Sequence, residues 1–404
     1  MSVTIDLIAV TAIGGLPLFM RHCSQSVTNS SLNGNTTSGD NDLSFARMAA
    51  LNGVNLFSRL NDSNLMYCST KESQIRWKVF KGCLVLIVIV EHMTDVIETH
   101  LHQLLDLVFD SLVMICGLNE IMSQNIERLK RCLRHSYQLI DHILNEFISS
   151  PLSRLPFITN NIEYSMSCQS YQHFMQSLVE SGGQLSCSAF CWLQINRKLV
   201  AASHAFWSRL NTSKDALLAI TLVNSLSDTD LLQTKEIPVY LPDNCPTSLS
   251  RLIVCQLAKN VVLCLLCAEE PSIDFIDTEI AIPLIDSKIH SEKFSIYLRN
   301  EIQILYPIDP NVIAFIIFRK DLKLYFTFGP IDDNFNVLLQ SINWQTSDKY
   351  ESYLVNETTK GYIICNDLMQ IYLSFRFNAS LNQMQSISNK TLNIISKDKY
   401  ICSN

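Results

Sequence analysis

Two cysteines at a metal-binding spacing are the first candidates for chemistry in this 404-residue chain. Cys264 and Cys267 form a Cys-x-x-Cys motif, which zinc sites use when a second pair of ligands completes the tetrahedron. No second pair follows, and the motif lies in an apolar run over residues 261–268 that is typical of a strand. Positions three apart on a strand point to opposite faces. The sequence therefore predicts two packed cysteines, and Cys187 with Cys191 likewise lack partner ligands.

A histidine cluster is the second candidate, because imidazole and carboxylate groups bind metals and transfer protons. His100, His102 and Asp106 fall in a segment with helical periodicity. On a helix His102 and Asp106 are neighbours, whereas His100 and His102 lie about 200° apart. The pattern predicts a solvated helix face. His135 and His142 share one face of the next helix, where contact with a partner protein is the alternative to solvation.

The glycine pairs do not form a phosphate-binding loop. Gly14-Gly15 and Gly182-Gly183 lack the spacing of dinucleotide-binding and P-loop motifs. The chain also lacks a Gly-x-Ser-x-Gly nucleophile elbow and a His-Glu-x-x-His zinc motif. We therefore interpret the glycines as turns and expect a protein that is not an enzyme in the ordinary sense and that needs no cofactor or metal.

The length of the chain limits the number of its domains, and its net charge limits the kind of partner that it binds. A chain of 404 residues suits two or three domains. A net charge of −7 argues against nucleic-acid binding.

The 14 cysteines are scattered, mostly in apolar runs, which favours a reduced cytosolic protein. The longest apolar run is far shorter than the roughly 18–20 residues of a membrane span, and Asp6 near the start favours a strand over a signal peptide.

The first 150 residues carry the clearest structural pattern. Residues 84–90 are seven consecutive apolar residues, typical of a central strand buried on both faces. Asp95 and Glu98 resemble a capping box at the start of a helix, and a second helix is predicted from residue 126 to 144. Residues 45–57 predict an earlier helix, after a polar loop at 24–42 that we expect to be disordered. A linker is predicted from Ser149.

The order of elements recurs and predicts an α+β protein of three similar domains, each a mostly antiparallel five-stranded sheet flanked by helices. The predicted domains cover residues 1–150, 165–285 and 286–404. The second begins with a helix at 170–179 that Gly182-Gly183 ends. The third contains strands at 312–318, 322–328, 361–365 and 369–377, with a helix at 334–342 between the two pairs.

Several strings resemble the Fuzzy family of planar cell polarity effectors, whose domains have the longin fold. The likeness covers roughly residues 1–150, is patchy over 185–270 and thin beyond 290. The strings that carry it are Gly15-Leu16-Pro17-Leu18-Phe19, Leu51-Asn52-Gly53-Val54, Trp77-Lys78-x-Phe80, Ile126-Glu127-Arg128-Leu129-Lys130, Pro238-Val239-Tyr240-Leu241-Pro242 and Leu263-Cys264-Leu265-Leu266-Cys267.

The resemblance implies a tri-longin subunit of the CPLANE ciliogenesis complex. Implied partners are an Inturned-like longin protein, a WD-repeat planar polarity effector and a Rab-family small GTPase. The implied activity is guanine-nucleotide exchange by the pair with the Inturned-like protein, located in the cytoplasm, at the cytoskeleton and at the basal body of the cilium. A non-catalytic scaffold or trafficking adaptor at the basal body is the alternative.

The resemblance also implies a partner surface on the helix at 45–57, for which Met48, Leu51, Val54 and Phe57 are the candidates; core packing is the alternative for each. A second surface is a basic helix face with no specific family role. It consists of Arg128, Lys130, Arg131 and Arg134, and it is either a solvated helix back or a contact for an acidic partner or a phosphoinositide membrane surface.

Overall fold

The computed structural model describes residues 2–25, 38–93, 95–165, 169–185, 190–211, 213–226, 234–268, 270–286, 292, 294, 309–329, 350–355 and 359–395. The chain divides into two compact units, one formed by Met1–Ile158 with Tyr240–Ser248 and the other by Thr159–Val239 with Leu249–Asn404. No helix in the described ranges is long and apolar enough to cross a membrane.

The first unit is built on a five-stranded antiparallel sheet. Its strands are β1 (Val3–Thr11), β2 (Pro17–Gln25), β3 (Tyr67–Ser69), β4 (Ser73–Phe80) and β5 (Leu84–Glu91). They lie in the order β2-β1-β5-β4-β3, so β5 pairs with β1 on one side and with β4 on the other. Every residue from Leu84 to Val90 is buried, which confirms the central strand expected from its unbroken apolar run.

Helices cover both faces of this sheet. They are α1 (Ser38–Leu60), α2 (Glu98–Cys116), α3 (Leu118–Ile121), α4 (Ile126–Arg134), α5 (Tyr137–Ser149) and α6 (Pro151–Thr159). Helix α1 packs on one face, where Met48 joins Ile8, Trp77 and Ile87 in a buried cluster. Helix α2 packs against β4 and β5, and α5 against β1 and β2, on the other face. Side chains of β5 alternate between these two cores.

Two predictions about the starts of helices were wrong. No capping box precedes α2: its N-cap is Ile97, without a side-chain hydrogen bond, because Asp95 and Glu98 instead bind Arg154 and Arg76. Helix α1 starts at Ser38, inside the loop predicted at 24–42. Acidic residues at positions 40 and 42 favour the first turns of a helix. Ser24 and Gln25 belong to β2, and residues 26–37 of that loop lie outside the described residues.

The predicted second helix is divided, and the predicted linker is helical. Buried Ser136 separates α4 from α5, because its hydroxyl donates to the carbonyl oxygen of Leu133 at 2.6 Å and competes with the helical backbone bonds. At the linker, Pro151 occupies the first position of α6, where its missing N–H costs nothing. Ser150 and Ser153 exchange capping hydrogen bonds of 3.1 Å.

The second unit contains a second five-stranded sheet. Its strands are β7 (Phe190–Ile195), β8 (Lys198–Ala202), β9 (Lys235–Leu241), β10 (Cys245–Ala258) and β11 (Val261–Cys267), in the order β8-β7-β11-β10-β9. Its helices are α7 (Gln169–Leu185), α8 (Asp215–Ser225), α9 (Ile273–Ile276) and α10 (Ile282–Asp286), with π-helical turns at Phe206–Leu210 and Asp277–Ala281. A core of α7 and sheet residues fills one face.

The expected end of α7 at Gly182-Gly183 was wrong, since the helix continues to Leu185. Gly182 is buried, and a Cβ atom there would lie 3.2 Å from the sulfur of Cys191 on β7. The missing side chain allows close packing of helix on sheet. A glycine that ends a helix and one that permits such packing look alike in the sequence.

A third sheet has the same plan with one added strand. It consists of β6 (Ile162–Glu163), β12 (Val312–Arg319), β13 (Leu324–Phe328), β14 (Tyr350–Val355), β15 (Thr359–Cys365) and β16 (Met369–Arg376), in the order β14-β15-β16-β12-β13-β6. Strand β6 pairs in parallel with β13. Strand β14 and helix α11 (Leu381–Ile395) add to the predicted elements, and α11 starts with a capping box between Ser380 and Gln383. The predicted helix at 334–342 lies outside the described residues.

The same strand order therefore occurs three times: a hairpin, then three strands whose last member returns beside the first strand of the hairpin. The prediction of an α+β protein with mostly antiparallel sheets flanked by helices is confirmed. The predicted domain boundaries at 1–150, 165–285 and 286–404 stay predictions.

Candidate partner interface

Helix α1 rests on the first sheet through contacts made by its inward side. Met48 is only 8% exposed and belongs to the buried cluster, and Leu51 packs against it. The indole nitrogen of buried Trp77 donates to the carbonyl oxygen of Leu51 at 3.3 Å. Of the four candidate partner residues, Met48 and Leu51 thus make core contacts in this chain, and their role towards a partner stays a prediction. The helical period places both on the same side as the sheet.

The outward side of α1 is apolar and exposed. Val54 is 52% exposed, Phe57 70% and Leu60 83%. Ile13 and Leu16, in the turn between β1 and β2, are also exposed. Arg59 joins the two segments by donating to the carbonyl oxygen of Ala12 at 3.2 Å. We call Ile13, Leu16, Val54, Phe57 and Leu60 the apolar patch. Sequence reasoning missed its members Ile13, Leu16 and Leu60.

An exposed group of large apolar side chains is costly in water and commonly marks a protein-binding surface. Phe57 is the aromatic member of the apolar patch, and aromatic side chains bury a large area with few rotatable bonds when a partner covers them. The turn beside it contains the family-like string that starts at Gly15. The helix contains the string that starts at Leu51. Two of the strings that carried the resemblance thus meet at this surface.

Replacing Gly15 with alanine is expected to loosen the contact between the turn and α1. Gly15 has a φ of +62°, and an added Cβ atom would lie 1.9 Å from Nδ2 of Asn52, which is buried. The penalty should reach about 2 kcal/mol, the cost of left-handed backbone plus a steric clash. Hydrogen exchange of residues 46–60 in the full chain measures this loss of stability. Gly14→Ala is the matched control, because Gly14 also has a positive φ of +81° but has no atom within 4 Å of its Cβ position. Equal losses in both variants would contradict the close contact with Asn52.

An ion network around the buried carboxylate of Asp6 ties the middle of α1 to the sheet. Asp6 on β1 accepts hydrogen bonds from Arg47 at 2.9 Å and from His22 at 2.6 Å. Arg47 also donates to Glu91 on β5 at 2.6 Å. Hydrogen bonding to Asp6 raises the pKa of His22. Sequence reasoning used Asp6 only against a signal peptide. A carboxylate in the middle of an apolar strand was the available signal for a buried ion pair.

The basic face of α4 is partly neutralised. Arg128, Arg131 and Arg134 are exposed, and Lys130 is half-buried. Arg128 pairs with Glu120, and the ammonium group of Lys130 lies 3.8 Å from Glu127. Arg131 and Arg134 form no ion pair with a described residue. Two uncompensated arginines provide less attraction to an anionic membrane than a polybasic segment of four to eight charges.

The prediction of a solvated helix face was wrong for His100. This side chain is 4% exposed, whereas His102 is half-buried and contacts Arg76 and Lys78 at 2.9 and 3.0 Å. Burial of His100 follows from the wide inner face of α2, on which Leu104, Leu107 and Ser111 are also buried. Cys264 and Cys267 are both buried as packing predicts. Among the described residues no group of His, Cys, Asp or Glu could hold a metal ion.

The recurring strand order, with helices on both faces of the first sheet, places the chain in the class of longin-domain proteins. A family model described as the first longin domain of FUZ, MON1 and HPS1 matches residues 7–143. The model for the second longin domain of the same proteins matches residues 187–281. The chain belongs to the Fuzzy family of longin-domain proteins.

Similarity to individual members of the Fuzzy family supports this assignment. The chain is 32% identical over 271 residues to the protein fuzzy homolog of Homo sapiens, with 66% of this chain and 59% of the relative covered. It is 28% identical over 278 residues to the protein fuzzy homolog of Xenopus tropicalis, covering 69% and 60%. The corresponding protein of Rattus norvegicus is 31% identical over 280 residues, covering 69% and 61%. The chain thus spans about 60% of the length of the relatives it matches.

Proposed function

We propose that this chain binds an Inturned-like longin protein through the apolar patch and that the pair is a guanine-nucleotide exchange factor for a Rab-family GTPase. The observation that carries the proposal is the exposed apolar side of α1, opposite the side on which Met48 and Leu51 pack against the sheet. A partner that covers Val54, Phe57 and Leu60 would remove this apolar surface from water. Membership of the Fuzzy family supports the same assignment.

The proposed activity needs no nucleophile, no metal ligand and no proton transfer by this chain. An exchange factor binds the nucleotide-free GTPase more tightly than the loaded form, and this difference in affinity expels the nucleotide. The GTPase surface would be formed jointly with the partner, so the isolated chain is expected to be inactive. In this sense the chain is a subunit of an exchange factor and not an enzyme by itself.

The wider setting belongs to the same proposal. The pair would act in the CPLANE complex together with a WD-repeat planar polarity effector, in the cytoplasm, at the cytoskeleton and at the ciliary basal body. Its role would be in ciliogenesis, planar cell polarity and vesicle trafficking. Arg131 and Arg134 would then be the residues of the basic face that contact an acidic partner or a phosphoinositide surface.

Replacing Phe57 with aspartate should weaken pairing with the Inturned-like protein by about 100-fold, because loss of a buried aromatic anchor at an interface costs roughly 2–4 kcal/mol. The affinity is measured between the full chain and the partner by titration calorimetry. Release of a fluorescent guanine nucleotide from candidate Rab proteins is measured with the same pairs. We expect the wild-type pair to accelerate release and the pair with Phe57→Asp to lose the acceleration at concentrations below its raised Kd.

Met122→Asp is the matched control, since Met122 is a large exposed apolar residue of the same unit outside the apolar patch. It should leave both affinity and release unchanged. Normal affinity in Phe57→Asp would reject the apolar patch as the interface. A stable wild-type pair that changes release from no Rab protein would instead favour the non-catalytic scaffold.

A further inference from the structure

The second sheet carries a polar cavity at one of its ends. Its volume is about 250 Å³. The sheet residues Gln194, Gln256 and Val262 contribute to its lining, as do the turns at Asn196-Arg197 and at Asn260 and the C-terminal turn of α8. All these elements belong to the second unit and lie outside the apolar patch and the basic face. Nothing in the proposed exchange mechanism uses them.

Gln194 is the most informative residue of this cavity. It is 2% exposed, and its amide nitrogen has no hydrogen-bond partner among the described residues. Its neighbours Leu193 and Ile195 face the core beneath α7, so alternation along β7 turns Gln194 to the opposite face. There its carbonyl oxygen accepts from the thiol of Cys264 at 3.9 Å. A buried amide nitrogen that donates to no described residue is unfavourable, so the arrangement points to a ligand that accepts this hydrogen bond.

Two hydrogen bonds hold the mouth of the cavity in place. The amide nitrogen of Asn196 donates to the carbonyl oxygen of Asn260 at 2.9 Å, which joins the two turns. The side-chain amide of Asn224 donates to the carbonyl oxygen of Arg197 at 3.1 Å and ties the end of α8 to the same place. Arg197 is exposed and has a φ of +67°. The shape of the mouth is therefore largely preformed, as in most small-molecule sites.

The chemistry of the lining defines the class of ligand. The lining residues that the structure describes supply five carboxamides and one guanidinium, and the apolar remainder is Val223, Leu226 and Val262. None of these described lining residues is a carboxylate, so they lack the ligands that a divalent cation prefers. The C-terminal end of α8 disfavours an anion. Carboxamides present a donor and an acceptor side by side, which matches the edge of a nucleobase or of another planar amide.

We propose that this cavity binds a neutral planar heterocycle with an amide-like edge, of the size of a nucleobase or nicotinamide. The edge would pair with the carboxamide of Gln194, and the ring faces would contact the apolar side chains. The volume is below the 300–1,000 Å³ that is usual for drug-sized ligands, which favours a single ring system. Arg197 at the mouth would contact a substituent that extends into solvent.

The test uses the full chain with adenine, uracil and nicotinamide as probes, each followed by saturation-transfer NMR and by titration. We expect at least one probe to bind with a Kd below 1 mM, a value of about the weakest affinity that such titrations resolve. Gln194→Leu should weaken binding of that probe at least tenfold. It should leave the unliganded protein as stable as before or more stable, because it removes a buried donor that has no partner among the described residues. Lys259→Ala is the control, since Lys259 is exposed in the same turn as Asn260 but does not line the cavity.

Three results would overturn the proposal. The first is that none of the three probes binds. The second is that binding survives Gln194→Leu, which would place the probe elsewhere. The third is that Gln194→Leu destabilises the unliganded protein, which would mean that ordered water already satisfies the amide.

Discussion

Replacing Asp95 with alanine is expected to destabilise the first unit by about 3–5 kcal/mol, which is the usual cost of leaving one member of a buried ion pair without its partner. The partner is Arg154 on α6, whose side chain is 3% exposed. Its guanidinium donates to the carboxylate of Asp95 at 2.9 Å and to the carbonyl oxygen of Phe147 at 2.9 Å. It also lies 5.1 Å from the centre of the Phe147 ring.

The two members of this ion pair differ in their exposure to water, and this difference allows a more specific prediction. Asp95 is 26% exposed, so water can solvate its carboxylate when Arg154 is removed. Arg154 has no such access and keeps an uncompensated buried charge when Asp95 is removed. The double variant Asp95→Ala with Arg154→Met should therefore be more stable than Asp95→Ala alone, although it carries one substitution more.

Hydrogen exchange of α2 peptides in the full chain measures both effects, and peptides from residues 261–267 in the second unit are the internal reference. A double variant that is less stable than Asp95→Ala would contradict this account. It would show that Arg154 stabilises the unit mainly through Phe147 and packing. The double-mutant cycle separates the two contributions, because the residues are in direct contact.

Acidification from pH 7.5 to 5 is expected to cost the first unit about 2 kcal/mol through His100 alone. Burial, and after it the positive charge of Arg154, lowers the pKa of His100 from 6.5 to about 4, while Asp95 acts in the opposite direction. The Nδ1 atom of His100 has no hydrogen-bond partner among the described residues. No described acceptor is therefore in place to stabilise an added proton there.

The sign of the effect follows from the direction of the shift. A histidine with a lower pKa in the folded than in the unfolded chain contributes stability above pH 6.5 and loses it as the pH falls towards 4. His22 behaves in the opposite way, because hydrogen bonding to Asp6 raises its pKa. Its contribution is complete below pH 6.5 and is lost as the pH rises through its folded-state pKa. The contributions of the two histidines to folding stability therefore change in opposite directions as the pH falls.

Hydrogen-exchange protection of α2, corrected for the intrinsic exchange rate at each pH, measures this change in the stability of the first unit. His100→Leu should abolish about 2 kcal/mol of the acid-induced loss, since it removes the titrating group from an apolar site. His22→Gln should retain that loss and remove only the opposing contribution of His22, which grows as the pH falls through its raised folded-state pKa. An unchanged acid response in His100→Leu would mean that other groups cause the destabilisation.

Local sequence patterns predicted those parts of this protein that short-range physics determines. The seven apolar residues at 84–90 required a strand buried on both sides, and the recurring order of elements predicted three similar sheets. The strings around Gly15, Leu51 and Ile126 indicated the family. Cys264 and Cys267 were correctly interpreted as packed side chains, because the period of a strand separates positions three apart.

Tertiary structure decided which side chains pair and which are exposed, because these properties depend on residues far apart in the chain. Asp95 and Glu98 had the spacing of a capping box, but they bind Arg154 and Arg76, so their local pattern was misleading. Met48 and Phe57 are equally apolar candidates on one helix. Only the position of the sheet beneath α1 buries the first and leaves the second in solvent. For the same reason the cavity around Gln194 could not be predicted from the sequence. It is formed by two turns and a helix end that come together only when β7, β10 and β11 pair.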